Sequence, residues 1–373
     1  MPDTDALAAA SEPAAPPVPR PWWHPRRLLR GRLRPVVAAA VAGVLAGTGV
    51  TAWQTGTGPF AESGNHCWGA FGESELKTLF GGSAEVTATE LPIWQDKRGF
   101  DGPTGTCRLT SASSKLTVRL HTLDATYAAT GPWADEFLGP RLTPLGGGLL
   151  GMASDTRAWL AVPDGCLGAP DEFEGSTVVD IARGAHDPDG DVVTEWRAVL
   201  ARGVVRLINH VLADQGCDGT VADPVKGMPA PPEHSDEEPD ALCGVKGLRL
   251  PGKREYEDYR PLVTRGEGPV RTCDRGRSSR PSLRLMTVTD PRLAQIFGDL
   301  ARNGGTRLRH ARGDGSIRPD LGIFQAECQT GDVTFLVKSD DGERADDVAA
   351  LLPDFVAAEA DRIGCGTIRV SLP

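Results

Sequence analysis

Two short runs alternate apolar and polar residues in the same order, Val118-Arg119-Leu120-His121-Thr122-Leu123 and Leu283-Arg284-Leu285-Met286-Thr287-Val288. That period of two predicts a strand in each place. Both runs follow a Thr-Cys pair (Thr106-Cys107, Thr272-Cys273), and both lead to an aspartate, Asp124 or Asp290, suited to capping a short helix. Further apolar strand runs flank a third cysteine in each half, residues 158–162 and 177–181 around Cys166, and 322–326 and 333–337 around Cys328. Helical periodicity then takes over, in residues 193–215 ended by Gly216-Cys217 and residues 345–363 ended by Gly364-Cys365. Glycine at such a position stops a helix.

Four matching features in one order predict a duplicated module. Each module is expected to run helix, strands, helix, strands, terminal helix. The fold class is therefore α+β, with an antiparallel sheet and helices largely on one face. A first helix is predicted over residues 73–80, with Leu76, Leu79 and Phe80 on one side and Gly81-Gly82 as its stop. The second copy has Gly- and Pro-broken sequence there, residues 244–251. Module 1 spans residues 61–220 and module 2 spans 241–373, joined by a Pro-rich, acidic linker at 221–240.

The N-terminal pattern is different. Residues 35–60 carry no charge, and residues 35–53 are apolar or small. As a helix those would span about 28 Å, close to the ~30 Å of a bilayer core. Six arginines between positions 20 and 34, against Asp3, Asp5 and Glu12, place the N-terminus on the cytoplasmic side. The expectation is a disordered basic tail (1–34), a single transmembrane helix (35–53) and everything else outside. Cleavage after Val50-Thr51-Ala52, giving a secreted protein, and a twin-arginine signal at Arg26-Arg27 are the alternatives. Gly43 and Gly47 have the spacing of a helix-dimer contact, a common pattern in such segments.

Cysteine usage agrees with that topology. All eight lie beyond residue 66, in two quartets: Cys67, Cys107, Cys166, Cys217 and Cys243, Cys273, Cys328, Cys365. Even numbers and this distribution predict disulfides in an oxidising compartment. Of the three pairings four cysteines allow, first with second and third with fourth is preferred. The formal charge is −10 over 373 residues, and the acidic share falls beyond the uncharged run. An acidic ectodomain excludes nucleic acid as the expected partner.

At Cys67-Trp68-Gly69, Thr106-Cys107, the Gly-Cys helix ends and the run from Pro144-Leu145-Gly146 to Arg157-Ala158-Trp159-Leu160, the chain resembles membrane-anchored or secreted tandem four-cysteine proteins of high-GC actinobacteria. The modules are more distantly similar to actinobacterial envelope lipoproteins and to the sensor modules of receptor kinases. This chain has neither an acylatable cysteine nor a kinase. The resemblance implies a cell-envelope location and a binding or sensing role, with no activity and no functional residues to carry over.

Motifs for chemistry are weak. The glycine-rich stretch from Gly146 to Gly151 has dinucleotide-fingerprint spacing but no preceding strand, so a glycine hinge is the better reading. Ser74-Glu75-Leu76-Lys77 has the Ser-x-x-Lys spacing without its companion elements, and helix capping accounts for it. Asp187, Asp189 and Asp191 alternate like calcium ligands, but Gly190 is misplaced and Ala198 stands where a ligating Glu belongs. His66, His121, His186, His210, His234 and His310 are scattered without metal-ligand spacing, and His210 is expected to be partly buried. Arg312-Gly313-Asp314 is expected to be a tight turn. No catalytic, cofactor or metal residues are assigned. The expected protein is non-enzymatic, anchored through residues 35–53 and binding an envelope ligand or protein; a structural component or an enzyme with a dispersed site are the alternatives.

Overall fold

Leu116, Val118 and Leu120 point to one face of the strand Lys115–Asp124 and Arg119 and His121 to the other, and the architecture follows from covering both faces. The computed structural model describes residues 65–82, 85–94, 103–124, 131–167, 174–184, 191–234, 240–250, 260–277, 280–339 and 345–373. The expected tail and transmembrane helix, residues 1–34 and 35–53, lie outside these. Among the described residues no helix is long and apolar enough to cross a membrane.

The chain forms two seven-stranded sheets. Sheet one contains β1 (Thr87–Trp94), β2 (Thr104–Thr110), β3 (Lys115–Asp124), β4 (Thr143–Pro144), β5 (Gly151–Ala153), β6 (Arg157–Ala161) and β7 (Glu174–Arg183), in the order β1-β2-β3-β7-β6-β5-β4. Sheet two contains β8 (Leu262–Val263), β9 (Val270–Arg277), β10 (Arg280–Val288), β11 (Thr306–His310), β12 (Gly313–Arg318), β13 (Leu321–Cys328) and β14 (Gly331–Lys338), in the order β8-β9-β10-β14-β13-β12-β11. The strand order is the same in both, and every pairing is antiparallel. Leu120 lies opposite Val179 and Leu285 opposite Val337, while Cys107 faces Val118 and Cys273 faces Leu285, so the two runs are shifted by two residues against their Thr-Cys strands.

Helices cover both faces of each sheet, not largely one. The outer face of sheet one carries α1 (Glu73–Phe80) and the long α4 (Thr194–Asp214), whose Leu200, Val204, Leu207 and Ile208 pack on Val118, Leu160 and Ile181. The outer face of sheet two carries α7 (Ala345–Arg362), packed on Phe324, Phe335 and Val337. Between the inner faces lie α2 (Pro132–Phe137), α5 (Pro291–Ala294), a 3-10 turn (Gln295–Phe297) and α6 (Gly298–Asn303). They share one core with Trp159 and Val178 of sheet one and Met286, Ile323 and Leu336 of sheet two. The strands explain this double cover: β6 turns Ala158 and Leu160 outward and Trp159 and Ala161 inward, so each face is apolar and must be buried. Each large side chain so buried contributes about 1.5–3 kcal/mol.

The disulfides are Cys67–Cys107, Cys166–Cys217, Cys243–Cys273 and Cys328–Cys365, the preferred pairing. Both long helices end alike. Gly216 and Gly364 adopt φ of +68° and +75°. The amide of Cys217 then donates to the Leu212 carbonyl and that of Cys365 to Ala360, each at 2.8 Å. This left-handed glycine closure satisfies a carbonyl left open at the helix end. Asp290 caps α5, accepting from the Arg292 amide at 2.9 Å. Asp124 is the last residue of β3, opposite Glu174, and the N-cap of α2 is Gly131. Within the expected linker, Asn209 of module 1 exchanges two hydrogen bonds with Val221 and Arg197 donates to the Pro229 carbonyl at 2.6 Å, whereas Glu233 pairs with Arg265 and His234 bridges to Leu262 of module 2.

A candidate binding site on sheet one

Asp180 is the one charged residue in the apolar run of β7 between Val178 and Ile181, and it is fully buried. A carboxylate there requires donors on its own sheet face. Alternation supplies them. Arg119 and His121 lie two apart on the neighbouring β3, on the face that Asp180 shares. Arg119 Nε and Nη2 donate to the two carboxylate oxygens at 3.2 and 3.4 Å. His121 Nε2 lies 2.6 Å from Asp180 Oδ2, and the indole of Trp133 on α2 donates to the same oxygen at 3.1 Å.

Arg119 and His121 lie on the floor of a cavity of about 400 Å3, open to solvent and walled by Leu123, Pro132, Trp133 and Phe137, with Asp124 at its edge and Asp180 buried beneath. Trp133 stacks on Phe137 at 5.5 Å and meets Trp159 edge-on, so the aromatic wall is fixed. Glu136, also in the lining, is held by Arg157 at 2.8 Å.

The hydrogen-bond geometry constrains the chemistry. A carboxylate only accepts, so His121 Nε2 carries its hydrogen toward Asp180. Its Nδ1 faces the Thr122 carbonyl, another acceptor, at 3.3 Å. With both ring nitrogens turned to acceptors, the imidazole has no lone pair directed at the cavity. The arrangement presents the outer edge of an Asp180-paired arginine beside an aromatic wall, and the imidazole is spent on positioning contacts.

No known protein family, curated protein or solved structure matches the chain.

Module 2 carries a different buried carboxylate. Glu359 on α7 accepts from Thr287 at 2.9 Å, Arg271 at 3.3 Å and Arg362 at 2.7 and 2.8 Å. Burial pulls the Arg271 guanidinium down, with Glu359 opposing; hydrogen bonding to Glu359 holds Arg362 up. This network lies under the helix and serves as a polar clamp between α7 and sheet two.

The residues flagged in the sequence are mostly elsewhere. Gly146, Gly147 and Gly148 all have positive φ and turn the chain between β4 and β5; contrary to expectation, a short strand, β4, does precede them. Ser74 and Lys77 do not meet. Ser74 donates to Glu75, Lys77 pairs with Glu73, and Glu75 accepts from the Gly72 amide at the start of α1. His210 is exposed on α4, not partly buried, because it falls on the solvent side of the helix. His66, His234 and His310 are far apart in the chain's elements, and Arg312 turns β11 into β12 while donating to the Cys365 carbonyl. Asp187, Asp189 and His186 lie outside the described residues. Among the described residues no cluster of three or more His, Cys, Asp or Glu has a metal-holding arrangement.

Of the residues weighed as candidate chemistry, His121 lines the cavity, and Asp124, expected as a helix cap, lies in its lining too. Asp180, Arg119 and Trp133 were missed. The available signal was the single acid inside the run Val178-Val179-Asp180-Ile181, since a lone charge in a buried strand demands a partner.

Proposed function

We propose that this is a membrane-anchored, extracytoplasmic binding protein of the cell envelope, built from two copies of one ancestral module. The carrying observation is the sheet-one cavity, about 400 Å3 with a fixed aromatic wall and a polar floor of Arg119 and His121 held by the buried Asp180. That size and mixture suit a small ligand. The engaged nitrogens of His121 support binding over catalysis. Four closed disulfides support an oxidising location. The shared strand order supports duplication. Anchoring rests on the uncharged residues 35–53 behind their arginine cluster.

The test is made on the full chain expressed in an actinobacterial host. Expected are recovery in the membrane fraction, digestion by protease added to intact spheroplasts, and no thiol labelling before reduction. Native mass spectrometry of the detergent-solubilised chain should show a small adduct that Trp133→Ala removes. Free thiols, or protection from external protease, would overturn the location. A chain without any adduct or measurable small-molecule binding would overturn the binding role.

A further inference from the structure

Each sheet carries an inward-facing arginine between outward-facing apolar neighbours. Arg119 on β3 lies between Thr106 and Asp180 and Arg284 on β10 between Asp274 and Lys338, two positions apart when counted from the facing Thr106 and Thr272. Each spends Nε and Nη2 on a carboxylate of its own sheet, Arg119 on Asp180 and Arg284 on Asp274, the latter at 2.7 Å for both bonds. That fork leaves Nη1 for a third party.

In sheet two the third party is part of the chain. Arg284 Nη1 donates to the side chain of Asp135 at 3.2 Å, and Lys338 reaches both oxygens of that carboxylate at 2.9 Å. Asp135 comes from α2, which turns Trp133 and Phe137 to sheet one and Asp135 to sheet two. The space beside Arg284 shrinks accordingly to about 60 Å3. Among the described residues no acceptor meets Arg119 Nη1, and the cavity beside it holds about 400 Å3. His121 lies two residues beyond Arg119 on the same face, adding a ring whose nitrogens both face acceptors.

We propose that the sheet-one cavity binds a small organic acid, its carboxylate taken by Arg119 beside His121 as Asp135 is taken by Arg284 and Lys338. The apolar body of the ligand lies against Leu123, Pro132, Trp133 and Phe137. Of the lining acids, Glu136 is held by Arg157, and Asp124 lies five residues along β3, about 16 Å from Arg119. The anionic end of the ligand is thereby directed to the Arg119 end. This rests on the binding role proposed above and adds the ligand class.

The probe is benzoate, with benzamide as its uncharged counterpart, titrated calorimetrically into the oxidised full chain in detergent. Expected are saturable benzoate binding, benzamide weaker by roughly tenfold or more, and a similar loss for benzoate in Arg119→Gln, the worth of one charge-assisted bond. Lys338→Met, in the filled site of sheet two, should leave benzoate binding unchanged. If Arg119→Gln fails to fold by near-UV circular dichroism, the benzoate-to-benzamide ratio on the unaltered chain decides alone. Equal binding of the two probes, in a manner lost in Trp133→Ala, would overturn carboxylate recognition while the binding role stands. Saturable binding of other small molecules at Trp133 with none of benzoate has the same meaning. No binding of any small molecule would overturn both.

Discussion

Arg119 and Asp180 face each other across β3 and β7, and across β10 and β14 Arg284 faces Lys338. One copy pairs opposite charges there, and the other sets like charges side by side. The like charges are tolerated because Asp274 and Asp135 intervene. The opposite charges close on each other and leave room above. Differences at both flanking positions, Thr106 against Asp274 and Asp180 against Lys338, together with Asp135, thus separate a filled site from an open one.

Asp180→Asn should destabilise the protein by about 2–4 kcal/mol in chemical denaturation. The amide cannot accept from Arg119, His121 and Trp133 as a carboxylate does, and those donors remain in place. Little or no change in the denaturation midpoint would mean that solvent already satisfies them.

Replacing both Cys67 and Cys107 by alanine should cost about 2–4 kcal/mol, since the bridge closes a loop with a sequence separation of 40. Cys243 and Cys273, separated by 30, should cost nearly as much because the entropy of closure varies slowly with length. Matching losses in urea midpoints would fit chain entropy. A loss confined to one pair would point instead to local packing.

The alternating runs were legible because Val118, Leu120 and their counterparts Leu283 and Leu285 each answer to a core on one face, and a period of two exposes that directly. The Gly-Cys helix ends were legible for a similar reason, a local backbone demand at Gly216 and Gly364. The site was not. His121 and Asp180 are 59 residues apart, and Asp135 and Lys338 are 203 apart. Their meeting depends on strand order and on the stacking of two sheets, which leave no spacing in the sequence. The second cover over each sheet went unseen because Trp159 and Ala161 belong to a continuously apolar run, whose two faces periodicity does not separate.

Gly364→Ala should cost about 1–2 kcal/mol, because its φ of +75° is strained for any residue with a Cβ. No atom lies within 4 Å of the added carbon, so the cost is one of backbone conformation alone. Gly364→Asn should recover much of it, as asparagine tolerates the left-handed region. If alanine and asparagine are equally costly by thermal melting, contact and not conformation is responsible.

Glu75 predicts an acid-side dependence. Burial pushes its carboxyl up, but hydrogen bonds from Arg206, its own backbone amide and Ser74, with the charge of Arg206, outweigh burial and hold it below the ordinary range. A depressed folded-state value contributes stability that is present above the unfolded value, about 4.3, and is lost as pH falls through the folded one. Glu75→Gln should therefore be less stable than the parent at neutral pH. The difference should fade as pH falls from about 5 toward 2. A difference independent of pH would assign the effect to packing at the start of α1.

The inner core makes a prediction about cooperativity. Phe297, fully buried, lies in one cluster with Trp159 and Phe137 from the first sheet and Ile323 and Leu336 from the second. Its neighbour Ile296 is so close to β7 that a side chain at Gly175 would lie 3.0 Å from it. Two sheets that bury their inner faces against each other each lose a core face if they separate. They should therefore unfold together while the disulfides are intact. Phe297→Ala should lower stability by about 3–5 kcal/mol and shift a single calorimetric transition without splitting it. Two resolved transitions, only one of them moved by the substitution, would show that each sheet holds its fold with the inner face exposed, and that the shared cluster is a contact between independent domains.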